Sequence, residues 1–283
     1  MKKFRTAMAV LALAGLAAAC GDDEKSADSS AAPATDAATT APATTEHDHD
    51  HDTTVPAESP KVVASTTWVA AFAAMAGATD ITVIAPSNLQ HPPDYDPKAS
   101  DLAAVADADF ILLAGFEGFA DRLREAAGSD AVVEVVATEY FPAALEAEVL
   151  RLAELMGLDE HTAMHNIEHY KEHWDEEAAR VQAAIAGKKP VVVSHAFTGV
   201  WAALAGLEPV GTFGPEPLTP TKVAELVALN PTVILENSHM PAGADLMEAT
   251  GATMLQMVNF PGDDFDLKLV VTVNADILID GIG

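Results

Sequence analysis

The chain has 283 residues and a formal net charge of −28, from 15 basic and 43 acidic residues. A surface this negative argues against nucleic acid or anionic lipid as a partner, because both are polyanions. The ~220 residues that follow the N-terminal segments are enough to bury a large core, as one domain or as two lobes.

The N-terminus has the pattern of an export signal. Basic residues precede an apolar run over 7–19, which is too short for a comfortable membrane span. Cys20 closes this run and is the only cysteine of the chain. The sequence Ala-Ala-Ala-Cys20 resembles the lipobox of bacterial lipoproteins, with Leu16 one position early. We predict a signal peptide over 1–20 and a lipidated Cys20; the alternative is an ordinary signal peptide that leaves a free thiol.

Residues 21–60 are rich in Ala, Thr, Ser, Pro and Asp, which predicts a disordered tether. Within it His47, His49 and His51 alternate with aspartates. Alternating imidazole and carboxylate groups favour capture of borderline divalent ions such as zinc. The alternatives are an acidic solubilising tract and the remnant of a purification tag.

After residue 60, short apolar runs alternate with helical stretches, which indicates parallel strands covered by helices. In the first part, 61–158, strands are predicted at 61–65, 81–85, 110–114 and 132–136, and helices at about 68–76, 102–106 and 118–127.

Two longer helices follow, one over 143–156 that ends at Gly157 and one that Asp159 caps and that runs to about Ile185. The second makes 159–187 a linking helix. In 188–283 strands are predicted at 190–194 and 232–236, extended segments at 209–213 and 254–258, and helices at 199–205, 220–229, 242–250 and 265–279. The predicted fold class is α/β, with two Rossmann-like lobes of parallel strands joined by one long helix.

One histidine stands in a stiff loop between a strand and a helix. His91 follows the strand 81–85, and Ser100-Asp101 has the pattern of a helix N-cap. Prolines in the loop restrict its backbone, so the imidazole is positioned before a ligand arrives. Open α/β sheets bind ligands at this edge. We predict that His91 binds a metal; the alternative is a surface residue.

Two more histidines follow strands of the second lobe. His195 comes directly after the strand 190–194, and His239 comes shortly after 232–236. Together with His91 and one carboxylate, they would form a tetrahedral site typical of zinc. Glu236 is either the fourth ligand or an acceptor that orients an imidazole. The alternatives are a core histidine at 195 and a loop residue at 239.

A further set of histidines is spaced by four along the linking helix and forms one stripe. Its members are His161, His165, His169 and His173. A solvated polar face is the favoured interpretation, and an accessory metal site is the alternative.

The layout of the chain and the motifs around His91 and His195 resemble those of bacterial ABC-transporter substrate-binding lipoproteins that carry zinc or manganese. The run from His91 to Asp101 resembles the family's first ligand motif, HxYxPxPSD, with Pro92-Pro93 inserted. The run 191–197 resembles the segment that supplies a ligand from the second lobe, here His195, as in zinc members. The resemblance covers about 61–278. It implies two lobes joined by a rigid helix, with the metal in the cleft between them.

The chain also departs from the family. A PHxWxD-like segment that carries the second ligand is missing, and the aligned stretch 136–142 offers Glu139 instead. The family's terminal acid aligns near 256–259, which holds none; Asp263, Asp264 and Asp266 come slightly later. We therefore expect a rearranged first coordination shell.

The resulting expectation is an extracytoplasmic, lipid-anchored monomer that captures Zn²⁺, with Mn²⁺ as the alternative, and delivers it to the membrane subunits of an ABC importer. The sequence has no HExxH pair, GxSxG elbow or P-loop, so an enzyme is not expected. The alternatives are a zinc metallohydrolase with an open metal site and an adhesin that keeps this fold.

Overall fold

A computed structural model describes residues 59–283, which form two α/β lobes. In the first lobe the strands are β1 (Lys61–Ala64), β2 (Asp80–Val83), β3 (Phe110–Leu113) and β4 (Val132–Val135), and the helices are α1 (Thr67–Met75), α2 (Ala99–Ala106), α3 (Ala120–Ala126) and α4 (Pro142–Met156). All pairings are parallel, in the order β2-β1-β3-β4.

The second lobe repeats this arrangement. Its strands are β5 (Val192–His195), β6 (Gly211–Phe213), β7 (Val233–Asn237) and β8 (Thr253–Met257), in the parallel order β6-β5-β7-β8. Its helices are α6 (Gly199–Leu204), α7 (Pro220–Val227), α8 (Ala244–Thr250) and α9 (Leu267–Ile282). The predicted fold class, two lobes with parallel sheets, is confirmed.

The linking helix is α5, Glu160–Ala184. It begins where predicted, because the Asp159 side chain accepts the N–H of Thr162. The helix before it ends at Gly157, whose φ of 64° is in the left-handed region that glycine adopts at low cost. Among the described residues, none of the helices is both long and apolar enough to cross a bilayer.

The two lobes share one hydrophobic core, because buried residues of both sheets and of α5 belong to the same cluster. Its centre is aromatic. The Tyr140 ring lies 5.3 Å from Trp68 of the first lobe and 4.7 Å from Trp201 of the second, measured between ring centroids. The Tyr140 hydroxyl donates to the Asn259 carbonyl at 2.6 Å, so the interlobe joint carries a buried hydrogen bond as well.

In both lobes the loops at the carboxyl ends of the strands open onto the interlobe cleft. The loop after β2 contains a single 3₁₀ turn, Pro92–Asp94, which directly follows His91. The loops after β5 and β7 carry Phe197 and His239. The sheet order changes direction between β1 and β3 and between β5 and β7, and such switch points are where α/β sheets bind ligands.

Candidate metal site

A cavity of about 640 Å³ lies between the lobes. Both lobes contribute to its walls, and most of the lining side chains are apolar. The lining includes Trp68, His91, Phe116, Glu139 and Tyr140 from the first lobe and Phe197, Asn237, His239, Met240 and Phe260 from the second. The cavity thus brings together two of the predicted histidines and the predicted Glu139.

His91 is oriented by its own loop. Its Nδ1 lies 2.8 Å from a carboxylate oxygen of Asp94, and its side chain is 24% exposed. A carboxylate at this distance favours a proton on Nδ1, which leaves the lone pair on Nε2. This is the usual arrangement behind a metal-binding histidine, in which an acceptor fixes the tautomer and raises the basicity of the other nitrogen.

His239 shows the same pattern from the opposite lobe. Its Nδ1 donates to the carbonyl oxygen of Gln90 at 3.3 Å, so Nε2 holds the lone pair. That Nε2 is buried and has no hydrogen-bond partner among the described residues. Burial lowers the pKa of His239 and the nearby His91 adds to this, while the bond to Gln90 acts against it. The imidazole is therefore kept neutral, the form that binds metal.

Gln90 joins the two loops directly. Besides accepting from His239, it donates from its side-chain amide to the carbonyl oxygen of Ser238. His91 is the next residue, so the bridge holds the His91 loop against the His239 loop. The two imidazoles are consequently neighbours across the cleft.

The sequence predicted His195 in the cleft, but the structure places it elsewhere. It is completely buried and is not part of the cavity lining. Its Nδ1 accepts the backbone N–H of Phe197 at 3.2 Å, which puts the proton of the neutral ring on Nε2. The ring packs against Phe213 and against Gly214, where any Cβ would collide with it. Burial lowers the pKa of His195.

Glu236 is also fully buried and lies outside the cavity lining. Its carboxylate accepts the backbone N–H groups of Asn237 at 2.8 Å and Ala242 at 3.1 Å, and that of Gly243. These bonds organise the chain between β7 and α8, which includes His239. Glu236 therefore stabilises the loop that carries His239.

Within residues 59–283, no three His, Cys, Asp or Glu side chains are close enough together to hold a metal ion. The set of His91, His195, His239 and Glu236 thus stays a prediction, as does Glu139. His91 and His239 are the two of its members that the cavity brings together.

Trp68 is a cavity residue that the sequence reasoning missed. Its side chain is only 7% exposed, and its indole N–H has no hydrogen-bond partner among the described residues. A buried donor without an acceptor is costly, so this group stands out among the residues that line the cavity. Trp68 could have been identified from the sequence by its place at the start of α1, directly after β1, at the same sheet edge as His91.

The histidine stripe lies on α5, away from the cavity lining. The rings of His165 and His169 are 4.5 Å apart, and His169 Nδ1 is 3.4 Å from Glu172. His173 contacts the Thr272 hydroxyl at 2.9 Å and ties α5 to α9. Cys20 and the tract of His47, His49 and His51 lie outside the described residues.

Comparisons with known proteins agree with this architecture. A family model described as a periplasmic zinc-uptake complex component A matches residues 62–162, which is the first lobe and the start of α5. No curated protein matches the chain.

Three solved structures have the same fold. The nickel complex of the substrate-binding protein FpvC from Pseudomonas aeruginosa is 16% identical, with a TM-score of 0.61 over 80% of this chain and 97% of that one. AdcAII of Streptococcus pneumoniae is 18% identical, with a TM-score of 0.58 over 80% and 100%. The laminin-binding protein Lbp of Streptococcus pyogenes is 16% identical, with a TM-score of 0.56 over 80% and 100%. The predicted resemblance is therefore confirmed over the first lobe by the family model, and the solved structures share the fold of the described chain.

Proposed function

We propose that this protein captures a divalent metal ion, most readily zinc, in the interlobe cleft and delivers it to the membrane subunits of an ABC importer. The observation that carries the proposal is the pair His91 and His239. They come from opposite lobes, line one cavity, and each has an acceptor beside Nδ1 that leaves Nε2 available. Imidazole nitrogen is a preferred ligand of zinc.

The choice of metal rests on this donor chemistry. Relatives of the same fold have been solved with nickel, manganese, cadmium or zinc, so the fold accommodates several ions. Two imidazole nitrogens favour zinc over manganese, because manganese prefers oxygen ligands. Glu139, which is exposed at the cavity wall, is the carboxylate that we propose as a further ligand.

The mechanism requires no bond chemistry. The imidazoles replace part of the ion's water shell, and binding weakens as the pH falls and the histidines protonate. Release requires the importer to favour an arrangement of the lobes in which His91 and His239 no longer face one ion. The Gln90 bridge and the aromatic joint between the lobes oppose that change, so we propose that only a small movement occurs.

We further propose that the protein acts outside the cytoplasm, attached to the membrane through a lipid on Cys20, with His47, His49 and His51 as an accessory capture tract. Replacement of Cys20 by serine should release the protein from the membrane fraction into the soluble fraction. A Cys20→Ser protein that stays in the membrane fraction would exclude the lipid anchor.

The central test is calorimetric titration of the full chain with Zn²⁺ and Mn²⁺, for the wild type and for His91→Ala and His239→Ala. Tight stoichiometric zinc binding that both substitutions weaken strongly is expected. His161→Ala, which removes an exposed histidine of α5, is the matched control and should bind as the wild type does. Absence of tight binding of either ion, or binding unchanged in both cleft variants, would refute the proposal.

A further inference from the structure

Two histidines outside the cleft stand together on the linking helix α5. His165 and His169 are four residues apart, so their side chains are neighbours on one face of the helix. Both are exposed, and the His169 side chain is 53% accessible to solvent. With Glu168 they form the sequence His-x-x-Glu-His, a spacing at which the two histidines of a helix bind zinc in one class of metalloenzyme. The spacing therefore brings two imidazoles together where an ion in solution can reach them.

The geometry of the two rings fits one shared ion. Their centroids are 4.5 Å apart and their planes are inclined at 85°. Two imidazoles that bind the same tetrahedral zinc through nitrogen at about 2.0–2.1 Å have ring centres roughly 5 Å apart. The Nδ1 of His169 lies 3.4 Å from a carboxylate oxygen of Glu172, which favours a proton on Nδ1 and leaves the lone pair on Nε2. The pair is thus close to the arrangement of two metal ligands before an ion binds.

The backbone beneath this pair is held in place by the core. Ile167 and Tyr170, in the same turns of the helix, are buried in the core that both lobes share. The Tyr170 hydroxyl also donates to the Tyr140 carbonyl at 2.6 Å. An ion that binds His165 and His169 therefore has to order two side chains but no backbone, which lowers the entropic cost of binding.

The charges around the pair favour a cation. Helix α5 carries six acidic and two basic side chains, and Glu168 and Glu172 lie next to the two histidines in sequence. Lys171, the base nearest to the pair in sequence, forms an ion pair with Glu146 of α4 at 3.0 Å. An excess of negative charge on one surface raises the local concentration of cations.

We propose that His165 and His169 form a second metal site, on the solvent face of α5, that binds a borderline divalent ion such as Zn²⁺. Each ring supplies one nitrogen, and water fills the remaining positions of the ion. Imidazole suits zinc, nickel and copper better than manganese or magnesium, so the site selects the same class of ion as the cleft. The site shares no residue with the cleft and does not depend on the proposed function.

The test is equilibrium dialysis of the full chain against ZnCl₂, with the retained zinc measured by atomic absorption. His165→Ala and His169→Ala should each lower the number of zinc ions retained per chain by one, while the zinc that depends on His91 and His239 stays bound. Both substitutions replace an exposed residue of a helix by its best helix former, so the fold is kept. His161→Ala, one turn earlier on α5 and also exposed, is the matched control and should retain as much zinc as the wild type.

A second background isolates the site on α5. A full chain that carries His47→Ala, His49→Ala, His51→Ala, His91→Ala and His239→Ala lacks the other imidazoles proposed here as ligands at the cavity and in the tract. It should still retain one zinc, and adding His165→Ala or His169→Ala should weaken that binding at least about tenfold, because loss of even an outer partner of a ligand typically costs 10- to 100-fold. Zinc retention unchanged by His165→Ala and His169→Ala in the wild-type chain, or lowered equally by His161→Ala, would overturn the inference and leave the proposed function standing.

Discussion

The carboxylate behind His91 provides a sharp test of how this histidine is used. Asp94→Ala removes the oxygen that lies 2.8 Å from His91 Nδ1 and leaves the imidazole itself in place. Loss of such an acceptor from a metal-binding histidine typically lowers metal affinity about 10- to 100-fold. Because the Asp94 side chain is 79% exposed, water partly replaces its contribution, and we expect a loss of about tenfold.

The matched control lies two residues further along the same loop. Asp96→Ala removes the same charge, but Asp96 pairs with Arg122 and is 89% exposed. Calorimetric titration with Zn²⁺ should therefore give nearly wild-type affinity for Asp96→Ala and a clear loss for Asp94→Ala. Equal affinities in the two variants would show that the effect is one of general charge, and would refute the assignment of Nε2 of His91 as the metal-binding atom.

Three further predictions concern the frame around the cleft. Tyr140→Phe should lower the free energy of unfolding in urea by about 1–3 kcal/mol, because the buried Asn259 carbonyl loses its donor; a loss below about 0.5 kcal/mol would contradict this. Gly214→Ala should destabilise the protein more than Gly157→Ala. Both glycines have positive φ, but a Cβ at 214 meets the His195 ring whereas a Cβ at 157 meets no atom within 4 Å. Equal melting temperatures of the two variants would contradict this. Burial lowers the pKa of His195 below 6.5, so its neutral form stabilises the fold above that pH, and this stability is lost as the pH falls through the folded-state pKa. His195→Gln should flatten the decline in unfolding free energy between about pH 7 and 5, and an unchanged slope would refute the assignment.

Much of the fold follows from local patterns in the chain. The short apolar runs predicted six of the eight strands of the described residues, because parallel strands covered on both faces favour continuous apolar sequence, and the other two were predicted as extended segments. Asp159 and Gly157 located the start of α5 and the end of α4, because capping chemistry depends on residues next to the helix end.

The candidate site followed from sequence only in part. His91 and His239 were identifiable because each follows a strand, and loops after parallel strands meet at one edge of a sheet. The same rule placed His195 in the cleft, whereas in the structure its ring turns inward, held by the N–H of Phe197 and packed on Gly214. The direction of a side chain depends on what packs around it, and that information is distant in sequence.

The sequence by itself determined the two-lobed α/β architecture, the linking helix and the loops that border the cleft, because these depend on periodicity and on capping residues close in the chain. The tertiary structure alone decided which side chains face the cavity. The Glu236 carboxylate binds the backbone N–H groups of its own loop, and Gln90 joins the two lobes. Within the part of the chain that the structure describes, the Trp68 N–H has no acceptor. Those outcomes depend on contacts between segments far apart in sequence, and such contacts set both the volume of the cleft and the tautomers of the histidines that line it.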